Sequence, residues 1–176
     1  MSAVLSSLKP LELQVQGSDP LFLNQIAPRL WQEWGQIWLG SLREHLPPAA
    51  GYELTLRLTD DEEMASLNAQ FRHKAQTTDV LAFAALEGNQ PALPETEPLY
   101  LGDIVISVPQ AQRQAQERGH DLSYELAWLA AHGLLHLLGW DHPDEARLTA
   151  MLTRQECLLA QIGLVPLGGT LGAHSP

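Results

Sequence analysis

Cysteine is nearly absent, with Cys157 alone in 176 residues. No intramolecular disulfide can form, and neither a CxxC motif nor a cysteine-built zinc module is available. The thiol falls on a helical stretch and reads as a buried, inert side chain. Basic residues are scarce too, 10 Lys and Arg against 21 Asp and Glu, for a net charge of −11. That balance argues against a generic nucleic-acid binder, which attracts phosphate through a broad basic surface. A polyanionic substrate would have to meet a local basic patch. Long apolar runs are missing as well. None approaches the roughly 18 to 20 residues that span a bilayer, and Met1 to Leu8 lacks a positive region followed by an apolar one. A soluble, cytoplasmic protein without a membrane partner is expected.

The chain is nevertheless 45% hydrophobic, enough for one domain with a core that needs no staples. Leu11 to Val15 alternates as a strand, and Ile26, Leu30, Trp34, Ile37 and Trp38 recur at helical spacing until Pro47 and Pro48. Tyr52 to Leu58 alternates again. Thr59 with Glu62 then forms a capping-box signal for a helix running towards Phe71. Asp79 to Phe83 reads as a return strand, Glu87 to Pro98 as a surface loop, and Leu101 to Ile106 as a further strand. Val108 to Arg118 is a polar helix stopped by Gly119, after which Asp121 is placed to cap a largely apolar helix over Leu122 to Leu138. Gly139 ends that helix. Pro143 opens the last one, with Asp144 and Glu145 in its first turn, Leu148, Leu152, Leu159 and Ile162 on its buried face, and Gly163 at its end. The order gives about four strands for one small sheet packed with helices, in a single domain over residues 1–166. A disordered Gly-rich tail is expected at 167–176.

In His132-Gly133-Leu134-Leu135-His136 two imidazoles stand four residues apart, on one helix face and about 5 to 6 Å apart at Cβ. A left-handed turn at Gly139 brings His142 back towards them. A single histidine on an apolar helix would be an ordinary core or surface residue. Three at this spacing point to one divalent metal, zinc first among the choices. Three protein nitrogens leave a fourth tetrahedral position for water, whereas structural zinc sites are closed by four protein ligands. An open site implies a metal-dependent hydrolase. His45, His73, His120 and His174 lack such spacing and read as loop, helix-end or tail residues. The pattern HxxxHxxGxxH equals that of the metzincin proteases, but Gly133 stands where their general-base glutamate follows the first histidine.

The string from His132 through Gly139, Trp140 and Asp141 to His142 resembles the signature of the YbeY family of bacterial rRNA maturation factors and endoribonucleases, usually written HGxLHLxGYDH. Leu67 to Lys74 followed by Thr78 to Phe83 is similar to that family's second block, and Leu101 to Ile106 to its third. The resemblance spans roughly residues 10 to 165 in matching order. Trp140 replaces a tyrosine, and Thr77, Ala82 and Ala84 depart from the usual loop residues. The resemblance implies an α+β domain with zinc on His132, His136 and His142. It also implies cleavage of single-stranded RNA in 16S rRNA 3′-end maturation and ribosome quality control, with the small subunit or assembly proteins as partners.

Hydrolysis of a phosphodiester fits such a metal, which lowers the pKa of bound water towards ~7 and polarises a phosphoryl oxygen without a glutamate base. Arg72 is the candidate second catalytic element, because a guanidinium can hold a phosphate bidentately. In the family that Arg72 matches by motif, the arginine has that part. Lys74 can add charge to the same mouth or be a solvated side chain. Asp79 and Asp103 can orient a ligand imidazole, though satisfying backbone donors is the more ordinary role near a strand end. Asp141 reads as a helix cap. Two other classes stay open: a metallopeptidase using the shared spacing, and a noncatalytic ribosome-assembly factor with a structural metal.

Overall fold

The structure is a computed structural model, which describes residues 9–72, 78–85 and 96–164. Four strands, β1 (Leu11–Gly17), β2 (Gly51–Thr59), β3 (Val80–Ala84) and β4 (Pro98–Ser107), form one sheet in the order β1-β2-β4-β3. β1, β2 and β4 run parallel and β3 is antiparallel to β4, a mixed sheet in the α+β domain that the resemblance implies. Six helices accompany it among the described residues: α1 (Pro20–Leu23), α2 (Pro28–Ser41), α3 (Asp61–Arg72), α4 (Val108–Arg118), α5 (Leu122–Leu137) and α6 (Glu145–Gln161). None is long and apolar enough to cross a membrane.

The core lies on one face of the sheet. Leu54, Leu56 and Leu58 of β2 and Ile104 and Ile106 of β4 meet Trp31 and Trp38 of α2, Leu126 and Leu134 of α5, and Met151 and Leu158 of α6. The Trp38 indole N–H donates to the Leu158 carbonyl at 2.8 Å, tying α2 to α6. The opposite face holds a smaller cluster of Met64, Leu81 and Val105 under α3. Strand β1 ends the sheet, and its outer backbone groups from Lys9 O to Leu13 N are met by two side chains of α2 rather than by a strand. Gln32 accepts from Leu13 N and donates to Leu11 O, while Gln36 accepts from Leu11 N and donates to Lys9 O, at 2.6–2.9 Å. Each amide thus bonds a carbonyl and an N–H two residues apart, as one residue of a neighbouring parallel strand would.

Several boundaries differ from the sequence reading. Helix α2 ends at Ser41, before a 3₁₀ turn at Arg43–His45, because Leu42 turns fully into the core ahead of the two prolines. Thr59 stays in β2, paired with Ser107, so Asp60 caps α3 instead and accepts from Glu63 N at 2.8 Å. Asp121 holds the N-cap position of α5 without a side-chain cap bond. Helix α6 starts at Glu145, two residues beyond Pro143, because Asp144 is its cap and accepts from Arg147 N at 2.8 Å. Its buried residues are Met151, Gln155, Leu158 and Leu159, while Leu148, Leu152 and Ile162 are only half-buried. Cys157 lies on the opposite side of that helix and is exposed, not buried as expected. The expected loop is outside the described residues from 87 to 95, as is the whole expected tail at 167–176.

Candidate metal centre

Helix α5 is apolar on nearly every side and is the central helix of the core, with 12 of its 16 residues buried. It can lie so close to the sheet because Gly133 faces β4. A Cβ at that position would stand 2.7 Å from Ile104 Cγ2, inside any real contact distance. The position that carries a glutamate in the metzincin pattern is therefore filled by the sheet. Immediately before this contact and about one turn after it, His132 and His136 are half-buried, and the helix stops just beyond them. Gly139 takes φ 94°, the left-handed conformation that favours glycine. Gly139 N and Trp140 N then close the turn on the carbonyls of His136 and Leu135 at 3.1 and 3.0 Å. Trp140 packs edge-on against His45 with ring centroids 5.6 Å apart. This turn delivers His142, exposed, to the side of the first two histidines.

The three rings gather as the sequence spacing required. Ring centroids are 4.5 Å apart for His132 and His136, 5.5 Å for His136 and His142, and 5.9 Å for His132 and His142. One nitrogen from each lies within 4.8 Å of the others, so the trio can hold a metal ion. A tetrahedral zinc with bonds of about 2.1 Å needs donors roughly 3.4 Å apart, a small side-chain adjustment from this arrangement. Nε2 of His132 and Nε2 of His136 already face each other at 2.9 Å. Two imidazole nitrogens at that distance need a proton or a cation between them, which fits the donor set of a metal site.

The protonation states also suit a cation. Burial is the largest cause that holds His136 down to about 4, with the positive charges its two neighbours would carry adding to it. Burial likewise lowers His132, against the opposing pull of its hydrogen bond to Gln155 and of the Asp79 charge. At neutral pH these rings are therefore neutral, the form that coordinates metal.

Asp79 satisfies a backbone donor, the more ordinary reading, and also a side chain. Its Oδ1 accepts from Val80 N at 2.8 Å and its Oδ2 from Gln114 at 3.2 Å, leaving only its charge to act on His132. Asp103 accepts from the Tyr100 hydroxyl at 2.6 Å, a side-chain partner and not a ligand imidazole. Asp141 accepts from His142 N at 2.8 Å and so helps fix the turn, while the cap of α6 falls to Asp144. His120 is a helix-end residue as read, buried between α4 and α5 and 3.9 Å from the Glu125 carboxylate. Arg72 is the last residue of α3, but its side chain, like His73, Lys74 and His174, is outside the described residues. The residue that sequence reasoning missed is Gln155. It is fully buried on α6, with Oε1 2.9 Å from His132 Nδ1. A polar residue on the same helical stripe as Met151 and Leu159 was the available signal.

Comparisons with known proteins match the chain over most of its length. The family model described as Endoribonuclease YbeY matches residues 23–163. An Endoribonuclease YbeY of Picosynechococcus sp. is 59% identical over 156 residues, covering 88% of this chain and 96% of the relative. One of Synechocystis sp. is 60% identical over 147 residues, covering 82% of each. The solution structure of a Thermotoga maritima protein, 20% identical, superposes with a TM-score of 0.55 over 86% of this chain and 89% of that one, which shows a common fold. With a family match that runs across the histidine turn and three of the four strands, and relatives 59–60% identical over most of the chain, this chain belongs to the YbeY family.

Proposed function

We propose that this protein is a metal-dependent endoribonuclease that cleaves single-stranded RNA and acts in 16S rRNA 3′-end maturation and ribosome quality control. The observation that carries the reading is the trio of His132, His136 and His142, with three nitrogens within 4.8 Å and no fourth protein ligand in the group among the described residues. Zinc is the ion assigned, since three imidazoles with an open position are a zinc donor set. When bound there, it supplies Lewis-acid charge and an activated water without a carboxylate base. His132 and His136, from the rigid end of α5, and His142, from the turn after it, hold the ion at the protein surface, where a phosphodiester can reach it.

Arg72 is assigned to the scissile phosphate. A guanidinium pairs with two phosphate oxygens and offsets charge gained in the transition state. The catalytic domain comprises residues 1–166 and works in the cytoplasm with the small ribosomal subunit or its assembly proteins. A peptidase reading is disfavoured by the Gly133 contact with Ile104, which leaves no room for the glutamate of the metzincin pattern.

The test is cleavage of a single-stranded RNA matching the 16S rRNA 3′ end by zinc-loaded wild type and by folded His136→Ala and Arg72→Ala variants. Loss of cleavage in both variants is expected. Equal cleavage by all three would mean a contaminating nuclease and would leave a noncatalytic assembly factor as the better account.

A further inference from the structure

Gln155 is a polar side chain with 0% exposure, in line with Met151, Leu158 and Leu159 on the buried face of α6. Burying an amide without partners is unfavourable, and here both ends are engaged. Nε2 donates to the Trp128 carbonyl at 3.4 Å, and Oε1 lies 2.9 Å from His132 Nδ1. These contacts fix which way the amide points. A backbone carbonyl has no proton to give, so the amide nitrogen must face Trp128 and the oxygen must face His132. An amide oxygen only accepts, which places the His132 proton on Nδ1. Nε2 is then a bare lone pair, and it is the atom directed at His136 Nε2, 2.9 Å away.

We propose that Gln155 is a positioning residue for the metal centre, locking His132 in the tautomer whose Nε2 is free to coordinate. The proposal rests on the metal reading above and extends it by naming the coordinating atom and the residue on a separate helix that selects it. Ligand histidines commonly give their second N–H to a carboxylate, a backbone carbonyl or water. Gln155 does the same work without adding charge. A carboxylate in its place would keep the tautomer and make the imidazole a stronger donor.

The test begins with nitrogen-15 NMR of the metal-free full chain at neutral pH, assigning the His132 ring. A proton on Nδ1 is expected. Zinc titration then compares wild type with Gln155→Leu and Gln155→Glu. The leucine variant should lose the fixed tautomer and bind zinc about 10- to 100-fold more weakly. The glutamate variant should restore both. If the leucine variant does not fold, the wild-type tautomer and the glutamate variant still decide. A proton on Nε2 in wild type, or unchanged tautomer and zinc affinity in a folded leucine variant, would overturn the proposal. Loss in the leucine variant that glutamate fails to restore would overturn it too, by showing a merely structural role. The wrong tautomer with zinc still bound defeats Gln155 alone. The expected tautomer with no zinc uptake by wild type defeats the metal reading, and with it the coordinating role of Nε2.

Discussion

Gly133 and Ile104 touch so closely that one added methyl would collide, with a Cβ on Gly133 2.7 Å from Ile104 Cγ2 and 3.2 Å from Cγ1. Both residues sit in the middle of packed elements, so neither can yield cheaply. Gly133→Ala is expected to lose about 1–3 kcal/mol, the usual cost of overpacking a core. For a chain of this size each kcal/mol corresponds to roughly 2–4 °C in Tm. Thermal unfolding of the variant measures it, and a Tm equal to wild type would show that the helix can move off the sheet freely. Gly133→Glu should not fold, and so should not gain peptidase activity.

A second expectation concerns pH. Burial brings His136 from its ordinary 6.5 to about 4 in the folded protein. The unfolded chain therefore binds more protons between these values, and stability rises with pH across that window. Its contribution is fully present above about 6.5 and falls away as the pH drops towards 4. Urea midpoints of the metal-free protein should decline over this range, and His136→Gln should flatten the decline. Superimposable profiles for the two proteins would show that His136 is not the group responsible.

Removing metal should abolish RNA cleavage and also loosen one local region. The proposed ligands come from the end of α5 and from the turn that Gly139 makes, so the ion fastens that turn to the helix. Chelation is expected to raise amide exchange over residues 139–144 while the centre of β2 keeps its protection. Returning zinc at about 1,000 times its Kd should restore stability by roughly 4 kcal/mol. Cleavage that survives complete chelation would count against the metal-based mechanism.

Glu125 has a fully buried side chain, and Arg118 reaches it at 2.6 Å from the end of α4. Removing one partner of a buried ion pair leaves charge in the core at a cost of about 3–5 kcal/mol. Arg118→Ala should fall at the lower end of that range, because the Arg118 side chain is itself 30% exposed and water reaches its end of the pair. Denaturant unfolding gives the number, and a loss below roughly 1 kcal/mol would mean that Arg118 is not the main counter-ion.

The elements were legible where the pattern was strong. Alternation in β2, the Pro at the start and Gly119 at the end of α4, and the apolar length of α5 all placed their elements to within a residue or two. The histidine trio was legible because a four-residue helical spacing and a glycine turn dictate geometry locally. Helix α6 shows what was not. Of Leu148, Leu152, Leu159 and Ile162, expected on its buried face, only Leu159 is fully buried, while the stripe is rotated so that Met151, Gln155 and Leu158 carry the rest. A glutamine counts as polar until its partners are known, and those partners, Trp128 and His132, lie on another helix. Cys157 was misread for the same reason, since a helix rotated about its axis turns its thiol from core to solvent. The cap of α3 moved because Thr59 was already committed to the sheet through Ser107.

The two glutamines of α2 have a consequence for the protein at high concentration. A terminal strand normally offers a row of unmet N–H and C=O groups that invites another chain to attach. Gln32 and Gln36 answer those groups from Lys9 O to Leu13 N, so two molecules cannot pair along that half of β1 without first prising the helix away. Because β1 and β3 lie at opposite ends of the sheet, that partly covered border is the one far from the strand against which the histidine-bearing helix packs. Self-association by strand pairing is thereby discouraged on one flank by side chains alone, leaving the chemistry at the other end free of that constraint.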